Sequence, residues 1–158
     1  ENSRVRGGAV FAIEHFGSDA KQAVPRLIEC LKVEDAEDLT SFVDVLGAIG
    51  PAAKAAISAL IPLLTHEHLV VRAKVAISLG RIKSLPETVI PALTERLNDS
   101  SDIVRYMAAS ALGEFGSLAV SAVPKLKDAL EDESVMVRLD AAAALCLKTA
   151  DTLSREYT

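Results

Sequence analysis

The sequence predicts an all-α solenoid, an α-α superhelix of stacked helix pairs, and three observations carry that prediction. The same residues return at a fixed step of 33 positions. Within each step, apolar residues recur at helical spacing in two separate runs. Half of the 158 residues are apolar yet only 4% are aromatic, and Trp is absent; an Ala, Leu, Val and Ile core suits closely packed helices.

The step is set by a Val-Arg pair: Val5-Arg6, Val71-Arg72, Val104-Arg105 and Val137-Arg138, with arginine-to-arginine gaps of 66, 33 and 33. Leu39 holds the missing place. Other columns keep the interval: Gly47, Gly80 and Gly113; Gly17, Gly50 and Gly116, with Lys83 in the gap; Pro25, Pro91 and Pro124, with Ser58 as the exception. Leu27, Leu60, Leu93 and Leu126 form one further column, and Leu31, Leu64, Leu97 and Leu130 another. Tetratricopeptide repeats lack their Trp/Gly/Tyr set here, and ankyrin repeats, which share the period, lack their Thr-Pro-Leu-His segment.

Each step reads as two helices. Helix A follows Val-Arg; in the fourth unit Val104, Ala108, Ala111, Leu112 and Phe115 form one stripe. The second glycine of the unit ends it, since Gly accepts the left-handed conformation that caps a helix. Helix B runs through Val-Pro-x-Leu, with Val123, Leu126 and Leu130 on one face and Lys125 and Asp128 on the other. Helix A is expected at 3–16, 37–49, 69–82, 102–115 and 135–149, and helix B at 19–33, 53–65, 86–98 and 119–131. That makes nine helices in about 4.5 repeats forming one domain over 1–158, with units 3–35, 36–68, 69–101 and 102–134 and a half unit 135–150. No helix buries its stripe alone, so units must stack.

Composition narrows the function classes. The net charge is -5 and no basic run exceeds a Lys/Arg pair, which disfavours a phosphate-backbone ligand. The longest apolar or small-residue stretch, Ala55 to Leu64, is too short to span a bilayer and contains Pro62. Glu1-Asn2-Ser3-Arg4 leads straight into repeat sequence, so the chain reads as part of a longer protein. Cys30 and Cys146 fall three units apart, too far to bridge, which favours a reducing, cytoplasmic compartment. Gly7-Gly8 is followed by Ala and Val rather than Lys-Ser/Thr, so it reads as close helix packing and not as a phosphate cradle. No Gly-x-Ser-x-Gly elbow occurs.

The run Asp99…Val104-Arg105…Ala111-Leu112-Gly113-Glu114-Phe115-Gly116…Ala122-Val123-Pro124-Lys125-Leu126…Leu130 resembles the HEAT family, in particular the short HEAT-like repeats of bacterial phycobilin lyase subunits. The resemblance covers about 5–150 and implies a HEAT/armadillo-like solenoid. It also implies a ladder in which an Asp of the turn lies near an Arg of helix A. Asp99 stands six residues before Arg105 and Asp132 six before Arg138; His66 takes the Asp place before Arg72. In the second unit Val33 and Leu39 replace both partners together, as an unpaired buried charge would be costly.

The metal-like clusters are Glu14-His15 and His66-Glu67-His68. The HEAT-fold iron hydroxylase needs several His-Glu pairs at equivalent repeat positions, whereas His15 lies late in helix A and His66 in a turn. Surface and turn residues are therefore the expected reading, with no metal, cofactor or catalytic residue. HEAT-like DNA glycosylases need a basic face with aromatics, which this acidic chain lacks.

In HEAT solenoids the B helices line the concave side, so the expected function is a protein–protein interaction scaffold, not an enzyme, with another protein as partner. The outward positions on B are Gln22, Arg26, Glu29 and Lys32; Ala55, Ala59, Pro62 and Leu63; Thr88, Ala92, Glu95 and Arg96; and Ser121, Lys125, Asp128 and Glu131. The contact set expected from these is Arg26, Glu29, Ala59, Pro62, Leu63, Ala92, Glu95, Arg96, Lys125 and Asp128, centred on an apolar patch in the second unit. The alternatives are an accessory subunit of an enzyme, such as a bilin lyase, with its chemistry elsewhere, and a structural spacer. Pro62 predicts a late start or a bend in the second helix B. In the last unit Cys146 and Thr149 replace both glycines and no helix B follows, which leaves a flank open to self-association.

Overall fold

The computed structural model describes residues 17–156, with side-chain environments for 20–146. The first helix A, with Val5-Arg6, Gly7-Gly8 and Glu14-His15, lies outside the described residues. The rest is helical, with no strand among the described residues: α1 Val24–Cys30, α2 Ala36–Ile49, α3 Ile57–Leu60, α4 Leu69–Ile82, α5 Pro86–Arg96, α6 Asp102–Glu114, α7 Val123–Asp128 and α8 Val135–Glu156. The A helices α2, α4, α6 and α8 stack in chain order as one layer. The shorter B segments, built on α1, α3, α5 and α7, form the second.

Seven of these α-helices have six residues or more, rather than nine. One expected helix lies outside the described residues. The other difference is the second helix B, where only Ile57–Leu60 is α-helical, between 3-10 segments Gly50–Ala56 and Ile61–Thr65. Pro62 sits in the first turn of the later segment. Its missing N–H breaks the α ladder there, and the chain tightens to 3-10 geometry.

Local chemistry sets most boundaries. Asp35 caps α2, its carboxylate accepting from the Asp38 N–H at 2.9 Å. Pro25 and Pro124 open α1 and α7, where an absent N–H costs nothing. Gly50 and Gly116 leave their A helices at φ +66 and +51, and a 3-10 segment follows each. In the third unit Lys83 takes that place at φ 46 and Leu85 follows at φ 50. The connection is then a short loop, and α5 begins early, at Pro86, with Pro91 inside it. At the other end, α8 runs to Glu156 instead of stopping near 149. Thr149 stands where the capping glycine of the Gly50 and Gly116 column would be, and no proline interrupts the helix.

The core follows the columns. Val71, Val104 and Val137 of the Val-Arg pairs are fully buried, as are Leu46, Leu79 and Leu112 on the A layer and Leu60, Leu93 and Leu126 on the B layer. Each such side chain contributes about 2 kcal/mol of burial. Between A helices the approach is close enough to exclude side chains: a Cβ on Gly80 would lie 2.8 Å from the Ala111 Cα, and one on Gly47 would lie 2.6 Å from the Ser78 Oγ. Ser78 is buried and donates to the Val43 carbonyl at 3.1 Å, so its hydroxyl is satisfied across the helix pair. By length and composition Ala36–Thr65 is apolar enough to reach across a bilayer. The Gly50 bend divides it into two legs instead, and its large apolar side chains lie in or against the core.

A left-handed Lys is strained by roughly 1–2 kcal/mol relative to Gly, offset in part by the chain entropy that Gly loses on folding. Lys83→Gly is therefore expected to raise stability by about 0.5–1 kcal/mol. A higher urea midpoint is the check; a lower midpoint contradicts the strain.

Candidate functional site

The most ordered polar feature runs along the edge where A helices begin. Arg72 forks onto Asp99, Nε to Oδ2 at 2.9 Å and Nη2 to Oδ1 at 2.8 Å, with the side chains 12% and 5% exposed. Arg105 repeats the fork on Asp132 at 2.8 and 2.9 Å. The third donor, Nη1, reaches back to the turn before its own helix. Arg72 donates to the carbonyls of His66 and Glu67, Arg105 to those of Asp99 and Ser100, and Arg138 to those of Asp132 and Glu133. Arg72 and Arg105 thus tie their own turns to the next unit's turn, while Arg138 holds its own turn.

This geometry refines the six-residue pairing. Asp99 offers Arg105 only its carbonyl, while its carboxylate serves Arg72, 27 residues earlier. Its Oδ1 also accepts from the Ser101 N–H, as Asp132 does from that of Ser134. His66 keeps that local role, its Nδ1 accepting from the His68 N–H at 3.1 Å. Counting 27 residues, the position facing His66 is Leu39, so the partner Leu39 lacks is the one at 66, not Val33.

Burial pushes the Asp99 carboxyl up, but hydrogen bonds from Arg72 and Ser101, with the charges of Arg72 and Arg96, outweigh it and hold it below the usual carboxylate range. The Arg105 hydrogen bond does the same for Asp132, against burial and together with the Ser134 N–H. Both arginines are pushed up, first by their aspartate hydrogen bond. These are ion pairs that tie units together.

On the B layer, shallow furrows separate neighbouring segments. One of about 200 Å³ lies between the second and third units, lined by Ile61, Pro62, Leu64, Thr65, Ala92, Glu95 and Arg96. It brings together Pro62, Ala92, Glu95 and Arg96. Ala59 and Leu63 are half-buried and pack on the core. Arg26 and Glu29 are exposed on α1 and line no furrow described, and Lys125 and Asp128 form an exposed pair at 3.5 Å on α7. Further furrows hold Lys21, Pro51, Ala52, Lys54 and Ala55, and Pro86, Glu87, Ile90, Pro91, Leu118 and Ser121.

Arg96 is more than a rim charge. It is mostly buried, donates to the Leu64 carbonyl at 3.2 Å and lies 3.9 Å from Asp99, while its Nε has no hydrogen-bond partner. The outward spacing of helix B names Arg96, but it does not show that the side chain folds back across the furrow floor. Among the described residues no three His, Cys, Asp or Glu side chains converge as a metal site. His66 and His68 stack at 5.5 Å. Cys30 and Cys146 form no disulfide.

The repeat period, the two helical layers and the inter-unit arginines define an α-solenoid. The model of HEAT repeats matches residues 41–105 and 90–147, more than half of the chain, and the chain belongs to that family. The PBS lyase HEAT-like repeat matches residues 5–32. A comparison with curated proteins finds no match. Among solved structures, the complex of CpcE and CpcF of phycocyanin lyase from Nostoc sp. PCC7120 is similar, with TM-score 0.74, 23% identity and 86% of each chain covered. A designed armadillo repeat protein in complex with the peptide (KR)4 has TM-score 0.71 and 20% identity over 88% of this chain and 73% of that one. Human deoxyhypusine hydroxylase has TM-score 0.65 and 24% identity over 80% of this chain and 43% of that one. At these identities the likeness is one of fold.

The depressed carboxylates make a signed prediction. Their stabilisation is complete above the unfolded carboxylate range, near pH ~4, and is lost as pH falls through the lower folded values. Asp99→Asn is expected to cost about 3 kcal/mol at neutral pH, because it leaves Arg72 without its counter-ion, and to flatten the acid limb. Urea midpoints from neutral pH to pH ~2 are the check. Parallel acid limbs in wild type and variant would exclude a role for this pair.

Proposed function

We propose that the chain is a protein-binding scaffold that holds a polypeptide against its B layer, with no reaction of its own. The observation that carries this reading is the furrow between the second and third B segments, where Pro62 and Ala92 give an apolar floor and Glu95 and Arg96 a charged rim. An apolar strip with polar edges is the usual anatomy of a modest interface. Two of the similar structures are themselves complexes, one of CpcE with CpcF and one with a peptide, which supports a polypeptide as ligand. The remaining expected contacts, Arg26, Glu29, Ala59, Leu63, Lys125 and Asp128, would extend the surface along the layer.

The likeness to phycocyanin lyase favours one second reading, in which the scaffold serves as the accessory subunit of an enzyme whose chemistry resides in a partner. Affinity capture from the source cell separates the two: a chromophore absorbance co-purifying with the captured protein supports the accessory subunit.

Ala92→Arg fills the furrow from a half-buried, B-layer position. It is expected to weaken capture of the partner about tenfold while leaving the helical circular dichroism unchanged. An undiminished partner yield would remove this furrow from the interface.

A further inference from the structure

Exposed apolar side chains are not scattered over this molecule. Of nine large ones exposed among the described residues, six (Leu69, Val70, Ile103, Val135, Met136 and Leu139) lie within the first five residues of α4, α6 and α8. Single exposed apolar residues are ordinary, but a run of them at one edge is not. Val70, Ile103 and Met136 are 53%, 44% and 52% exposed and recur at the 33-residue step. Because the A helices stack in order, the three form one ridge on the A layer, away from the B-layer furrow.

Charge selects the occupant. Glu67 and Glu133, each three residues before a ridge residue, have side chains 83% and 88% exposed, and Asp102 beside Ile103 is exposed too. The basic groups nearby are already engaged. Arg72 and Arg105 grip Asp99 and Asp132, Arg138 donates to two carbonyls, and Lys74 pairs with Asp44 at 2.7 Å. Glu133 also touches Arg105 at 3.3 Å and Glu67 lies 3.5 Å from the exposed His68, but the charges that face solvent along this rim are the carboxylates of Glu67, Asp102 and Glu133, with Arg72 and Arg105 mostly buried beneath them. An acidic rim around an apolar ridge complements a basic amphipathic segment and repels an anionic membrane.

Spacing narrows the segment further. Packed helices lie about 8–10 Å apart, and seven residues of α-helix rise about 10.5 Å. An α-helix crossing the three A-helix ends would therefore present an apolar residue to each at heptad spacing. We propose that this ridge is a second docking surface, for an amphipathic α-helix of a partner protein with apolar residues at heptad spacing and Lys or Arg on both flanks. The site is independent of the furrow on the B layer.

The test uses the full chain and a synthetic helix of roughly 20 residues, long enough to span the ridge, with leucines at heptad spacing and lysine flanks. Its control has glutamate flanks, and both are titrated at low salt by fluorescence anisotropy. The lysine helix is expected to bind at least about tenfold tighter than the control, Ile103→Lys to weaken it at least about tenfold, and Ala92→Arg to leave it unchanged. The proposal is overturned by equal affinity for the two helices, by absence of binding at ~0.1 mM, or by loss with Ala92→Arg in place of Ile103→Lys. It is equally overturned if light scattering finds a dimer that Ile103→Lys dissolves, which makes a second copy the occupant, or if the ridge partitions onto neutral phosphatidylcholine vesicles without discriminating between the helices.

Discussion

Successive A helices approach so closely that no side chain fits between them at Gly80, where Ala111 backbone lies opposite. The register of one unit on the next is set there. Leu79 and Leu112 are then sealed from water, and Arg72 and Arg105 arrive within hydrogen-bonding distance of aspartates in the following turn. Apolar burial is non-directional. The glycine contact and the arginine forks supply the direction, and they fix which exposed positions share an edge. Both surfaces proposed to bind partners follow from that alignment, since neither the B-layer furrow nor the A-layer ridge exists within a single unit.

Much of this was legible in the chain because a repeat states each rule several times. The Val-Arg column gives a buried valine at 71, 104 and 137 and an inter-unit arginine at 72 and 105. Lys83 in a glycine column marks a strained cap, and it adopts the left-handed conformation that the column implies. Pro62 announces a disturbed helix B, which is 3-10 on both sides of one α turn.

What escaped sequence reading has physical causes. Since 33 is the sum of six and 27, an Asp six residues before one Arg is also 27 after the previous Arg. Spacing cannot say which guanidinium its carboxylate meets; only the stacking geometry assigns Asp99 to Arg72. The periodicity shows the column of Gly47 and Gly80 but not its cause, which is a neighbouring helix 31 residues on, at Ser78 and Ala111 respectively. Within the expected contact set, Leu63 packs on the core, in a column where Cys30 and Arg96 are half-buried too. The A-layer ridge was missed because attention to a family's concave face leaves the other layer unread.

The role of close A-helix contact is tested most directly by Gly80→Ala. In an ordinary helix interior this replacement adds about 0.5–1 kcal/mol of stability. Here the new methyl would meet the Ala111 Cα at 2.8 Å, so urea unfolding should show a loss of about 1–3 kcal/mol, the usual cost of overpacking. A gain in stability would contradict the account, because it would mean that the units do not touch where their register is said to be set.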